Sequence, residues 1–205
     1  MAVTLTKGNS FSLKKEAPGL QIARIGAGWD PNETGSTYDV DISAFLLGAD
    51  GKIFDVQEPN AGENSFLFYN QKSLLNGAVV HSGDCRTGGK EDRGDDEAII
   101  VNFSKLPASI QKVVFVVTIH DAQAKGQNFG QIPNSWVNLY NEEVYQNDPT
   151  KKLAFFELSE EFSVEDCMIP VEFEKQNDGW VFNAIGAGVD GGLMYFCNKF
   201  GIQVA

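Results

Sequence analysis

An all-β chain, an antiparallel β-sandwich with a few short helical segments, is what this sequence predicts, and three observations carry the prediction. Segments rich in β-branched and aromatic residues recur from end to end. Gly, Pro, Asn and Asp bound nearly all of them. Helical patterning is confined to two short stretches, so the elements do not alternate as an α/β sheet requires.

Taken in order, extended segments are expected at 4–6, 19–25, 38–47, 97–103, 112–119, 135–140, 152–158, 167–174 and 179–185. Two hairpin signals accompany them, Ala49-Asp50-Gly51-Lys52 after Phe45-Leu46-Leu47 and Asn177-Asp178-Gly179 before Trp180. One helical turn is predicted within 104–110 and a terminal helix from Leu193, stopped by Gly201. With no Ser- or Pro-rich linker and no fixed-period repeat, residues 1–205 read as a single domain. Apolar residues make up 42% of the chain and include 15 Phe, enough for a substantial core without disulfide staples.

Charge narrows the function classes. Twenty-eight acidic residues stand against 16 basic ones, a net charge of −12. That excludes a nucleic-acid backbone as the natural partner, because counterion release needs clustered Lys and Arg. It favours cations as ligands. Cys85, Cys167 and Cys197 are odd in number and widely spaced, which fits reduced thiols in a cytoplasmic protein better than a disulfide framework or a structural zinc site. The first residues lack a basic stretch followed by an apolar run, so no secretory signal is expected. The longest aliphatic run, 113–119, is far shorter than a bilayer span.

Three polar segments hold the candidate chemistry. The run 81–97 contains six acids, Asp84, Glu91, Asp92, Asp95, Asp96 and Glu97, among glycines at 83, 88, 89 and 94. Calcium takes six to eight oxygen ligands, and glycine lets backbone carbonyls turn inward beside carboxylates. Three consecutive carboxylates at 95–97, at the mouth of a strong strand, repel one another unless a cation offsets them. In the second segment, strand periodicity puts Asp39, Asp41 and Ser43 on one face and Val40, Ile42 and Ala44 on the other. The third comprises His120-Asp121 and the 127–131 loop. Loops gather at the ends of a sandwich, so the three segments are expected to converge. The bland alternative for each is a solvated acidic surface.

Enzyme chemistry finds little support. His81 and His120 are the sole histidines, and there is no nucleophile elbow, P-loop or HExxH motif. Gly186-Ala187-Gly188-Val189-Asp190-Gly191-Gly192 evokes a dinucleotide loop but lacks the helix and second parallel strand that would complete it, so a packing turn is preferred. Cys85 sits among carboxylates that would raise its pKa, so no activated thiolate is implied.

Ordered blocks of residues span nearly the whole length of the chain. These are Gly26-Ala27-Gly28-Trp29-Asp30, Tyr38-Asp39-Val40-Asp41-Ile42-Ser43, Phe66-Leu67-Phe68-Tyr69-Asn70, His81-Ser82-Gly83-Asp84, Thr87-Gly88, Gly94-Asp95-Asp96-Glu97, the stretch from Val114 to His120-Asp121, Gln127-Asn128-Phe129-Gly130, Leu158-Ser159-Glu160-Glu161 and Gly186-Ala187-Gly188 through Gly191-Gly192-Leu193. In these blocks the chain resembles the TerD family, and the resemblance implies a calcium-binding β-sandwich associated with tellurite resistance and general stress, holding about two Ca2+ ions. Carried over, it implies Asp30, Asp39, Asp41, Asp84, Asp95, Asp96 and Glu97 as metal ligands, with Asn70, Asp121 and Asn128 in supporting roles. Two departures stand out: Cys85 replaces an Asn of the family pattern, and the loop between Gly88 and Gly94 is longer and more basic. The function expected is a cytoplasmic, non-enzymatic, calcium-binding stress protein acting through partners, other stress proteins or a membrane-associated complex among them. The alternative is a calcium-dependent membrane- or partner-docking module.

Overall fold

The computed structural model describes residues 2–33, 35, 37–89, 94–158 and 164–202. Of the sequence expectations, Glu91 and Asp92 in the acidic run, the basic pair Lys90 and Arg93, and the Ser159-Glu160-Glu161 block lie outside the described residues. In chain order the first half holds β1 (Val3–Leu5), β2 (Ser10–Ser12), α1 (Leu13–Glu16), β3 (Ile22–Trp29), β4 (Val40–Leu47), β5 (Phe66–Leu67), β6 (Ser73–Leu74), β7 (Val79–His81) and β8 (Glu97–Asn102). There follow β9 (Lys112–Ile119), α2 (Ala122–Lys125), β10 (Ser135–Asn141), α3 (Glu142–Tyr145), β11 (Ala154–Glu157), β12 (Cys167–Gln176), β13 (Gly179–Val189) and α4 (Gly192–Phe200).

These strands form two sheets, β1-β11-β10-β3-β8-β7-β6 and β2-β13-β12-β9-β4-β5. Every named strand pair is antiparallel except β1 with β11. Alternation along each strand decides what fills the space between the sheets. Ala23, Ile25 and Ala27 of β3, Val40, Ile42 and Ala44 of β4, and Val113, Phe115 and Val117 of β9 all join one buried cluster.

The uninterrupted apolar run of β9 has a separate cause. Its alternate residues Val114 and Val116 belong, with Phe45 and Leu47 of β4, to a second cluster closed by Phe196, Cys197 and Phe200 of α4. The second sheet is therefore covered on both faces along this stretch, and each fully buried aliphatic or aromatic side chain contributes about 1.5–3 kcal/mol. Gly201, at φ 97, ends α4 where the sequence predicts its stop.

Several boundaries depart from expectation. The third strand runs from Ile22 to Trp29, later than the predicted 19–25, because Gly26 and Gly28 continue the ladder instead of breaking it. The strands β2, β5, β6 and β7 are only two or three residues long, too short to show alternation. Gly186 lies inside β13, at φ 58, where the β12–β13 register jumps from Ile169↔Ala187 to Val171↔Ala184. Pro170 stands opposite this bulge; with no N–H to give, it is tolerated in a central strand where the ladder is interrupted.

Candidate functional site

Ala44 and Phe45 of β4 pair with β5, and among the described residues the edge of β4 on that side, opposite β9, has no strand neighbour at Ile42. Two side chains from β7 and β8 stand in for one. Glu97, 1% exposed, accepts the Ile42 N–H through Oε2 at 3.0 Å and the Cys85 N–H through Oε1 at 2.9 Å. His81 donates from Nε2 to the Ile42 carbonyl at 3.1 Å, and its Nδ1 accepts the Gly83 N–H at 3.1 Å. The Nε2 side of the ring thus faces acceptors, the Ile42 carbonyl and the Glu97 carboxylate at 3.5 Å, while Nδ1 faces a donor. Together these residues fasten the 81–85 loop alongside β4, and that loop delivers Asp84 to the neighbourhood of Asp39 and Asp41.

Asp39, Asp41 and Asp84 each place a carboxylate oxygen so that all three lie within 4.8 Å of one another. Asp41 is 5% exposed, Asp39 is half-buried and Asp84 is exposed. Among the described residues, the Asp41 carboxylate accepts no hydrogen bond, and the one basic side chain within 4 Å of it is His120, whose Nδ1 is 3.9 Å away. Burial, then the charges of Glu97, Asp39 and Asp84, push its pKa up to about 8. Burial also raises Asp39, with His120 opposing and Asp84 reinforcing the shift. At the rim, Arg86 Nε donates to Asp84 Oδ2 at 3.1 Å, and Lys125 Nζ donates to the His120 carbonyl at 2.8 Å.

The other predicted ligands point elsewhere. Asp95 lies on the outer face of the first sheet, in the space left by Gly26, whose Cβ would come within 1.9 Å of its carboxylate. There it accepts from Arg24 Nε at 2.7 Å and Asn138 Nδ2 at 3.1 Å. Arg24 also stacks on Tyr145, 4.1 Å from the ring centroid, and reaches Glu142 at 3.5 Å. Asp96 accepts the Trp29 N–H at 3.0 Å while its own N–H donates to the Ala27 carbonyl at 2.9 Å, extending the β3–β8 ladder. Asp30 accepts from Asn134 Nδ2 at 2.5 Å. The structure thus gathers Asp39, Asp41 and Asp84, sets Glu97 beside them as a brace, and leads Asp30, Asp95 and Asp96 away to donors of their own.

Of the supporting candidates, Asp121 carries its carboxylate 3.4 Å from His120 Nε2, in a left-handed conformation at φ 55. The backbone N–H of Asn128 donates to the Gln131 side chain at 3.2 Å, and Asn70 is exposed. Cys85 contributes its backbone N–H to Glu97, a role any residue but proline could fill, so the departure from Asn here leaves the brace intact.

Three carboxylates fit a hard divalent cation. At calcium–oxygen distances of about 2.3–2.6 Å, ligands on opposite sides of the ion are at most about 5.2 Å apart, which accommodates the observed 4.8 Å limit. A buried carboxylate lacking a donor is the donor set's strongest pointer to a cation, since burying such a charge alone is costly.

Beside the triad opens a cavity of about 420 Å³, lined in part by Asp41, Tyr69, Thr118, His120, Asp166 and Leu193. Sequence reasoning singled out neither Tyr69, Thr118 nor Asp166 for a role. Asp166 is buried ahead of β12 and accepts the N–H groups of Gly191 and Gly192 at 2.9 and 3.1 Å, anchoring the start of α4. A single acid flanking a strand carries no sequence signal of such a contact.

Comparison with known proteins agrees with this fold. The sequence model of the TerD domain matches residues 1–200. General stress protein 16U of Bacillus subtilis (strain 168) is 45% identical over 206 aligned positions, covering 100% of both chains. Tellurium resistance protein TerD of Alcaligenes sp is 40% identical over 206 positions, again covering 100% of both. The crystal structure of a homologue of telluride resistance protein (TerD) from Streptomyces coelicolor A3(2) superimposes with a TM-score of 0.66 at 21% identity, over 89% of this chain and 98% of that one. At that identity the likeness concerns the fold. Among the described residues, no helix is long and apolar enough to cross a membrane.

Proposed function

The chain belongs to the TerD domain family, and from that premise we propose that it is a non-enzymatic, calcium-binding protein of the cytoplasmic stress and tellurite-resistance response. The observation that carries the reading is Asp41, a buried carboxylate with no hydrogen-bond donor among the described residues, facing Asp39 and Asp84. These three residues are the ligands for one Ca2+. As mono- or bidentate carboxylates they supply three to six of the six to eight oxygens the ion takes, and water or backbone carbonyls supply the rest. Glu97 and His81 hold the ligands in place from behind. The second ion that the family resemblance implies is left without a comparable group among the described residues.

Two features support the non-enzymatic reading. Both ring nitrogens of His81 are engaged by backbone groups, which removes it as a general base. Cys167 and Cys197 are buried, and burial raises both thiols well above the usual range, away from the thiolate that redox chemistry would use. The names of the relatives, a general stress protein and a tellurium resistance protein, support the biological setting.

The test is thermal denaturation in chelator, in calcium and in magnesium. At about 100 times its dissociation constant, one bound ion adds about 2.7 kcal/mol, a rise in melting temperature of about 5–11 °C for a chain of this size. Magnesium, which demands tighter octahedral geometry, should give a much smaller rise. A melting temperature indifferent to calcium, in protein shown to be metal-free at the start, contradicts the reading.

A further inference from the structure

The cavity next to the triad has a chemistry of its own. Among the described residues, three carboxylates line it, those of Asp41, Asp121 and Asp166, and no Lys or Arg does. The donors that could receive an anion there, the N–H groups of Gly191 and Gly192 at the start of α4, are already given to Asp166. Two of the acids are deeply buried, Asp41 at 5% and Asp166 at 6% exposure, and Asp41 accepts no hydrogen bond among the described residues. Thr118, the register partner of Asp41 on β9, also lines the cavity and brings a hydroxyl to it.

The walls are of another kind. The Tyr69 ring stands edge-on to His120 with centroids 6.1 Å apart, and Ala122 and Leu193 complete an apolar lining. An inorganic cation has no use for such walls. A primary ammonium group on a short alkyl chain uses both halves: its N–H groups are donors only, which suits a lining that offers the acceptors Asp41, Thr118 and Asp166. Its charge is attracted to the face of an aromatic ring, and its methylenes gain from apolar contact. A volume of about 420 Å³ falls within the range of small-ligand pockets.

We propose that this cavity is a binding site for a primary ammonium group, carried either by a free aliphatic amine or by a lysine side chain. The site is separate from the triad, sharing only Asp41 with it, and it does not require the ion. Asp166, Tyr69 and Thr118 are its own residues, while Asp39 and Asp84 belong to the triad alone.

The experiment is an amide-shift NMR titration of the full chain in chelator, with n-butylamine, with n-butanol as its uncharged counterpart, and with an end-blocked lysine-containing peptide. Saturable shifts at Thr118, Gly191 and Gly192 with n-butylamine, and none with n-butanol, are expected. Tighter binding of the peptide would assign the cavity to a partner's lysine, and tighter binding of n-butylamine to a small amine. Asp166→Asn keeps an acceptor for the two glycine N–H groups and so preserves the fold. It should weaken amine binding at least tenfold, as should Tyr69→Leu, and both should leave calcium affinity unchanged. Asp84→Asn should lose calcium and keep the amine. Equal binding of n-butanol overturns the proposal. So does an equal loss in Asp84→Asn and Asp166→Asn, which would mean diffuse attraction to an acidic surface.

Discussion

The carboxylates of residues 95–97 and those of residues 39, 41 and 84 carry the same charge and meet opposite fates. Asp95, Asp96 and Glu97 are adjacent in the chain, yet each turns to a different partner: Arg24 and Asn138, the Trp29 N–H, and the Ile42 and Cys85 N–H groups. Asp39, Asp41 and Asp84 come from two distant segments and meet within 4.8 Å, where Asp41 accepts no hydrogen bond from the described residues. Neighbours on an extended backbone point to opposite faces, so adjacency disperses side chains. Residues two apart share a face, and a loop pinned across a strand edge can add a third member. A run of acids is therefore a weaker sign of an ion than a same-face pair with a loop held above it.

The difference can be attacked from its strongest side. Removing Asp95 takes from the Arg24 guanidinium, whose side chain is only 11% exposed, its 2.7 Å partner and leaves it Glu142 at 3.5 Å. Breaking a buried pair in this way costs about 3–5 kcal/mol, so Asp95→Ala should lower the urea midpoint sharply while the folded fraction keeps its calcium stoichiometry. If Asp95→Ala folded normally and lost calcium instead, the two groups of acids would not differ as described.

Glu97 tests the brace. Its replacement by Ala leaves two backbone N–H groups without their acceptor, each worth about 1–3 kcal/mol if it stays buried and unpaired. We expect a loss of stability of about 2–5 kcal/mol and, because the 81–85 loop is no longer fastened to β4, weaker calcium binding as well. Calcium affinity unchanged in the folded fraction of Glu97→Ala would show that Asp84 is positioned by something else.

A further expected effect is a dependence of stability on pH. In chelator, Asp41 titrates near 8 in the folded protein, against an ordinary value of 3.8. The folded state therefore holds this proton while the unfolded state has released it. Asp41 contributes stability below about pH 4, and that contribution is lost as pH rises towards 8. Asp39 shifts in the same direction. Calcium binding, which needs the carboxylates ionised, should strengthen over the same interval and release protons. Chemical denaturation in chelator at several pH values between 5 and 8 should show this fall, and Asp41→Asn should reduce it.

Much of the architecture was legible in the residues. The strands around 38–47, 112–119, 135–140 and 167–174 announced themselves by β-branched content, and Gly201 marked the end of α4. Asp39 and Asp41 were legible as a same-face pair because period two needs no tertiary knowledge. The remainder depended on contacts the chain does not advertise. Gly26 and Gly28 look like strand breakers, but they leave room for Asp95 and for the Trp136 ring. Asp84 joins the pair only because His81 and Glu97 complete the unpaired edge at Ile42. The short strands β5, β6 and β7 hold too few residues for a pattern to appear, and Asp166 gave no sign of its contact with α4.

Calorimetric titration of calcium into chelator-treated protein, run side by side on the unsubstituted chain, Asp84→Asn and Asp96→Asn, tests the division between the two groups most directly. The account predicts that Asp84→Asn loses the binding heat while its melting temperature in chelator stays the same or rises, since a like charge has left the cluster. Asp96→Asn should keep the binding stoichiometry. Calcium binding that survives Asp84→Asn and disappears in Asp96→Asn would contradict the account and place the ion with the consecutive acids.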